Sequence, residues 1–328
     1  MSTSDGTEVR LTRYRFGTKG PLILAPGYGN AARAFAIDTV PKNWVQYLGE
    51  HGYDVWLFDY RASPDLPASL SQFTVDDIAT RDWPAAVDTV RRETSTDEIQ
   101  AMGHCVGGLS LFMAMGAGMP GLRSATFSSL AGHPIPTPGN QLRAHARLAT
   151  VFKKLGIGFL PSDYDPSSWD GRLIERVMKL APFRHVYDDP VARRIYFIYG
   201  DVYDYENINQ ATMQQSVPSF FGGGNITFFE HMSLMIRASA ARDARGADAY
   251  LANLDAFKLP VSFITGSRNK MFVPKGLQRT YDTLRRANGA GHYTHHVIPN
   301  YAHLDLWLGT NAERDVWPTA LAELEKHN

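Results

Sequence analysis

The chain has 328 residues with Lys+Arg and Asp+Glu balanced at 33 each, so no basic excess points to nucleic acid or an anionic membrane surface. Its one cysteine excludes an intramolecular disulfide and a cysteine-built zinc cluster. No apolar run approaches the ~20 residues of a membrane span, and the polar start at 1–7 lacks a signal-peptide core; the expectation is a cytoplasmic protein, long enough for one domain with a sizeable insertion.

Strand-like and helix-like segments then alternate. Residues 8–16 alternate apolar and polar, and 21–25 form a short buried strand ending in Pro26-Gly27-Tyr28-Gly29-Asn30. A helix over 44–51 precedes a buried strand over 53–58, which ends at Asp59-Tyr60-Arg61. A long helix over 74–94 leads to a strand over 99–102, the turn Gly103-His104-Cys105-Val106-Gly107 and an apolar helix over 106–119. A strand follows near 124–129. From about 133 to about 257 the pattern becomes helix-rich and aromatic-rich, with Pro and Gly clusters at 134–139 and 218–224. This stretch reads as a cap inserted over a site, dividing the chain into 1–132, 133–257 and 258–328. Its stripe of Leu148, Val151, Phe152, Leu155 and Phe159 suits either the cap's own core or a substrate. The sheet resumes over 259–265, ending in Gly266-Ser267-Arg268-Asn269. A helix over 275–286, a strand over 293–298, the loop Pro299-Asn300-Tyr301-Ala302-His303 and a helix over 311–326 complete the chain. The alternation predicts an α/β fold, a mostly parallel central sheet flanked by helices with a helical cap.

The turn at 103–107 has the G-x-nucleophile-x-G spacing of a nucleophile elbow, with cysteine in place of serine. Such an elbow holds the nucleophile in a strained conformation above the sheet, and glycines two residues away on either side avoid a collision. Loops at the carboxyl ends of parallel strands gather into one site, so those carrying Tyr28, Cys105, Asn269 and His303 are expected to converge. His303 is the expected base. His104 is expected to point sideways and pack, and His133, His231, His295 and His296 have no comparable placement.

Asn269 stands where an aspartate would serve a serine nucleophile. A thiol relaxes that need, because a neighbouring histidine can hold it as a thiolate–imidazolium pair and an amide suffices to orient the ring. Cys105, His303 and Asn269 therefore form the expected catalytic set. Asp59, Asp201, Asp204 and Asp305 are alternative acids, Asp305 being two residues from the base. The backbone N–H groups of Val106 and Tyr28 are the expected oxyanion hole. No metal or cofactor is expected.

With these residues in place, the chain resembles the α/β-hydrolase superfamily over its whole length, in which nucleophile, orienting group and histidine follow in this order. Tyr53-Asp54-Val55-Trp56-Leu57 is similar to a stretch of the acid lipases. Residues 103–107, His231-Met232-Ser233-Leu234-Met235, the run 298–305, Asn311-Ala312 and Asp315-Val316-Trp317-Pro318 resemble the α/β-hydrolase domain fused to cholesterol-oxidase-like members of the glucose–methanol–choline oxidoreductases. That resemblance implies the fold, Cys105 as nucleophile and His303 as base. No G-x-G-x-x-G follows the first strand, so flavin chemistry is not implied. The run Gly103 to Gly108 also resembles the G-x-C-x-G-G elbow of polyhydroxyalkanoate synthases, whose thiolate passes an acyl chain to an alcohol.

Three functions fit these observations. The first is hydrolysis of an apolar ester, thioester or lactone through acyl-Cys105. The second is transfer of that acyl group to an amine, alcohol or carbon nucleophile. The third is a catalytically silent binding domain, suggested by the amide at the acid position.

Overall fold

Residues 22–25 and 53–58 divide their side chains between two cores, as strand periodicity demands. Leu22, Leu24, Tyr53, Val55 and Leu57 pack with Trp44, Trp307 and Trp317 on one side, and Ile23, Ala25, Trp56 and Phe58 with Trp83, Phe112 and Phe127 on the other. Strands covered on both faces read as continuous apolar runs, the usual state of a parallel sheet.

The structure is a computed structural model that describes residues 1–162, 172, 176, 195–196 and 198–328. Its main sheet has the order β1 (Arg10–Arg15), β3 (Tyr53–Asp59), β2 (Lys19–Ala25), β4 (Ile99–His104), β5 (Leu122–Ser128), β8 (Val261–Gly266), β9 (Tyr293–Ile298). β1 pairs antiparallel with β3, from Arg10↔Asp59 to Arg15↔Asp54, and the other pairings in this sheet are parallel. β6 (Phe159–Leu160) and β7 (Gly224–Asn225) form a separate antiparallel pair.

Helices α1 (Trp44–Glu50), α2 (Trp83–Thr94) and α3 (Val106–Gly116) follow in the first part of the chain. Then come α4 (Pro138–His145), α5 (Leu148–Lys154), α6 (Ile226–Ala238), α7 (Pro274–Asn288) and α8 (Trp317–Glu325). α1 and α8 cover one face of the main sheet, and α2, α3 and α7 the other. Among the described residues no helix is long and apolar enough to cross a membrane.

Two expected helices are interrupted, each at a proline. The one over 74–94 opens into a wide turn at Ile78–Asp82, closed by the Trp83 N–H on the Ile78 carbonyl. Pro84 has no N–H to give and its ring would strike the carbonyl four residues back, so the turn widens. Asp82, buried in that turn, pairs with Arg61 at 2.6 Å. The one over 311–326 splits into Ala312–Asp315 and α8, with Pro318 in the first turn of α8, where a missing donor is tolerated.

Between β5 and β8, α6 packs against α4 and α5. Part of the segment 133–257 lies outside the described residues. The apolar stripe on α5 does not line the cavity that reaches Cys105. Leu148, Val151 and Leu155 are exposed, while Phe152 packs on Ala149, Ile157, Leu160 and Ile226. α5 ends at Lys154, before Leu155 and Gly156, so the helical spacing does not carry through to Phe159.

Candidate active site

Cys105 joins β4 to α3 with φ 55° and ψ −121°, a conformation L-residues rarely adopt. The surrounding chain holds it there. Its N–H donates to the Ser128 carbonyl at 2.8 Å, its carbonyl accepts from Leu109 at 2.8 Å, and the Gly107 N–H donates to the Pro26 carbonyl at 3.1 Å. The flanking glycines are sterically required: a Cβ on Gly107 would stand 2.3 Å from the Pro26 oxygen, and one on Gly103 2.5 Å from the Gly108 Cα.

The backbone N–H groups of Val106 and Tyr28 both donate toward the Cys105 sulfur. This is the pair expected from the sequence, and two convergent donors beside a nucleophile can stabilise charge developing on an acyl oxygen. The Tyr28 loop is pinned by contacts that the sequence did not announce. The Ala31 N–H donates to the Phe220 carbonyl at 3.0 Å and the Gly222 N–H to the Gly29 carbonyl at 2.7 Å. The Tyr28 hydroxyl accepts from the Asn225 N–H at 2.9 Å, and its ring stacks on Phe228.

His303 is buried in the loop after β9, and its Nδ1 lies 3.1 Å from Asn269 Nδ2. Phe272 stacks beside the ring, with centroids 6.1 Å apart. The Asn269 Oδ1 accepts from the backbone N–H groups of Met271 at 2.9 Å and Phe272 at 3.1 Å. The structure thus brings Cys105, Tyr28, Val106, His303 and Asn269 to one place.

The alternative acids sit elsewhere. Asp59 pairs with Arg10 and accepts from the Ala32 N–H; Asp201 pairs with Lys270 and Asp204 with Arg268. Asp305 is buried and braces the histidine loop, its Oδ2 accepting from the Ala302 N–H at 2.9 Å and Asn207 Nδ2 at 2.7 Å. His104 packs, as expected. Its Nδ1 lies 2.9 Å from Ser128 Oγ and accepts from the Trp307 indole at 3.1 Å, and its ring centre is 4.5 Å from that of His303.

Burial sets the charge state. Desolvation pushes the Cys105 thiol up to about 12, against the smaller opposing pull of the Val106 and Tyr28 N–H groups. It pushes His303 down to about 3 and His104 well below the ordinary histidine range. Burial therefore favours the neutral form of both groups. The enclosing walls penalise the charged forms, and so work against the thiolate–imidazolium pair expected from the sequence.

Those walls bound a cavity of about 200 Å³ that reaches Cys105 and His303. Leu109, Ile135, Ile198, Phe221, Phe229, Met232, Met235 and Met271 line it, mostly from residues between β5 and β8. An apolar chamber with a few convergent polar groups suits a small, largely apolar ligand.

No family model matches the chain. Human lipase member K is 21% identical over 359 residues, an alignment that covers 100% of this chain and 87% of the lipase. The poly(3-hydroxyalkanoate) polymerase subunit PhaC of Haloferax mediterranei is 33% identical over 106 residues, covering 31% of this chain and 20% of the subunit. Among solved structures, the monoacylglycerol lipase of Paleococcus ferrophilus superposes with a TM-score of 0.60 at 15% identity, covering 98% of this chain and 100% of that one. The likeness shows the fold: the chain has the α/β-hydrolase fold.

Proposed function

We propose that this protein is an acyl-transfer enzyme that hydrolyses apolar esters, thioesters or lactones through an acyl-Cys105 intermediate. The observation that carries this reading is the convergence of the Val106 and Tyr28 N–H groups on the Cys105 sulfur, at the end of an apolar cavity. The likeness to a lipase over the whole chain supports an apolar ester as substrate. In this reading 133–257 is the cap, His303 carries the thiol proton to the leaving group, and Asn269 orients the ring. The resemblance of residues 103–107 and 298–305 to the hydrolase domain of cholesterol-oxidase-like proteins, read from the sequence, supports a cysteine nucleophile.

A neutral thiol at rest fits a general-base route, in which the proton leaves sulfur only as the acyl carbon is attacked. The test is incubation with p-nitrophenyl esters followed by peptide mapping. An acyl group on Cys105 that is absent in Cys105→Ala supports the reading; no adduct with any chain length refutes it.

The match to a polymerase subunit favours a second reading, in which an alcohol rather than water takes the acyl group. Product analysis with and without added alcohols separates the two. Ester products that rise with alcohol concentration at the expense of free acid support transfer.

A further inference from the structure

The direction of the Asn269 amide decides which nitrogen of His303 carries the proton. Asn269 Oδ1 faces the backbone N–H groups of Met271 and Phe272 at 2.9 and 3.1 Å. Those groups can only donate, so the atom facing them is the amide oxygen. The atom 3.1 Å from His303 Nδ1 is therefore the NH2 nitrogen, which also can only donate. That nitrogen also lies 3.3 Å from Thr265 Oγ1, which takes its second hydrogen. His303 Nδ1 must accept, and a neutral imidazole that accepts at Nδ1 carries its hydrogen on Nε2.

We infer that Asn269 is a tautomer-setting positioning residue, which holds His303 as an Nε2–H donor and withholds its basic nitrogen from Cys105. This rests on the reading of Cys105 and His303 as the reacting pair. When Cys105 attacks, its thiol proton passes to Nε2 while the S–C bond forms at the acyl carbon. As the bond to the leaving group breaks, that proton goes to the departing oxygen or sulfur. A ring already protonated at Nε2 takes no proton there. Its hydrogen first has to move to Nδ1, against the Asn269 NH2, or Asn269 has to turn over and set that NH2 against the Met271 and Phe272 N–H groups. A carboxylate at 269 removes the conflict. One oxygen keeps the two backbone donors, the other accepts from Nδ1–H, and Nε2 is free to take the proton.

The test is imidazole NMR on the full chain labelled with 15N-histidine, with the His303 signals assigned by their loss in His303→Gln. Wild type is expected to show the Nε2–H pattern and Asn269→Asp the Nδ1–H pattern. Acylation of Cys105 by p-nitrophenyl butyrate is expected to be roughly a hundredfold faster in Asn269→Asp. A wild-type ring protonated at Nδ1, or a pattern that Asn269→Asp leaves unchanged, overturns the inference. A switched tautomer with no acylation in either protein upholds it and refutes Cys105 as nucleophile. Should Asn269→Asp not fold, the wild-type spectrum alone decides.

Discussion

Tyr28 lies face to face on Phe228, with ring centroids 3.6 Å apart and planes within 11° of parallel. Its hydroxyl accepts from the Asn225 N–H at the start of α6. One side chain therefore fastens the loop that faces Cys105 to a segment that lines the cavity. Tyr28→Phe keeps the stack but leaves a buried N–H without its acceptor, an expected loss of about 1–3 kcal/mol in urea unfolding. Phe228→Ala empties a core position and is expected to cost about 3–5 kcal/mol. In both variants acylation of Cys105 is expected to slow, because the Tyr28 N–H loses its fixed aim.

Gly27 and Gly107 separate activity from folding. A Cβ on Gly107 would meet the Pro26 carbonyl at 2.3 Å, and backbone cannot give that much room. Gly107→Ala is expected to lower the melting temperature sharply or abolish folding. A Cβ on Gly27 would meet Asn30 Nδ2 at 3.2 Å, Cys105 Cβ at 3.3 Å and the Cys105 sulfur at 3.6 Å. Gly27→Ala is expected to fold with near-normal stability while crowding the reacting atom, with kcat falling roughly tenfold or more for a small displacement. Equal losses of stability in the two variants would count against this division.

Half-buried Cys105 and buried His303 predict opposite limbs of stability against pH. Desolvation pushes the folded Cys105 thiol up to about 12 from an ordinary 9.0, so the unfolded chain loses its proton first. Stability is full below pH 9 and falls as pH rises toward 12. Desolvation pushes the folded His303 imidazole down to about 3 from an ordinary 6.5, so the unfolded chain gains its proton first. Stability is full above pH 6.5 and falls as pH drops toward 3. Urea unfolding across pH is expected to show the alkaline fall shrinking in Cys105→Ala and the acid fall shrinking in His303→Gln. Alkylation of native Cys105 by iodoacetamide is expected to stay slow at pH 8 and climb through pH 10.

Asp305 is the nearest acid in sequence to the histidine, and its bonds give it another task. It ties the Ala302 N–H to Asn207, which sets the loop but leaves the imidazole alone. Asp305→Ala is expected to lower stability by about 1–3 kcal/mol, through the unpaired Ala302 N–H. Asp305→Asn, which keeps one acceptor oxygen, is expected to retain most activity, and the pH–rate profile is expected to keep its shape. A change in that shape with either variant would assign Asp305 a direct part in proton transfer.

The elbow, the buried strands around it and the histidine loop were legible because each is local. Gly103, Cys105 and Gly107 answer a steric demand within five residues, and the apolar run at 53–58 needs no distant partner to be read as buried. The clamp of Phe220, Gly222 and Asn225 on the Tyr28 loop was not legible, since it joins positions nearly two hundred residues apart through backbone groups without sequence signature. The burial that favours the neutral forms of the pair was also hidden. Spacing names the groups, but enclosure by Leu109, Ile135, Phe229 and Met232 disfavours their charged forms. Asn269 was legible as the residue that meets His303; which end of its amide does so depends on the N–H groups of Met271 and Phe272.

Cavity size gives the last prediction. Met232 lines the chamber from α6 and is only partly buried, so the residue can grow without breaking a filled core. In a chamber of about 200 Å³, an indole at this position takes up space that an acyl tail would need. Met232→Trp is expected to keep activity on acetyl and butyryl p-nitrophenyl esters and to lose it on octanoyl esters. Each methylene that no longer fits forfeits about 0.8 kcal/mol of burial, or roughly fourfold in kcat/KM. A series of acyl lengths therefore measures the cavity directly. A parallel drop at all lengths would place the acyl chain elsewhere.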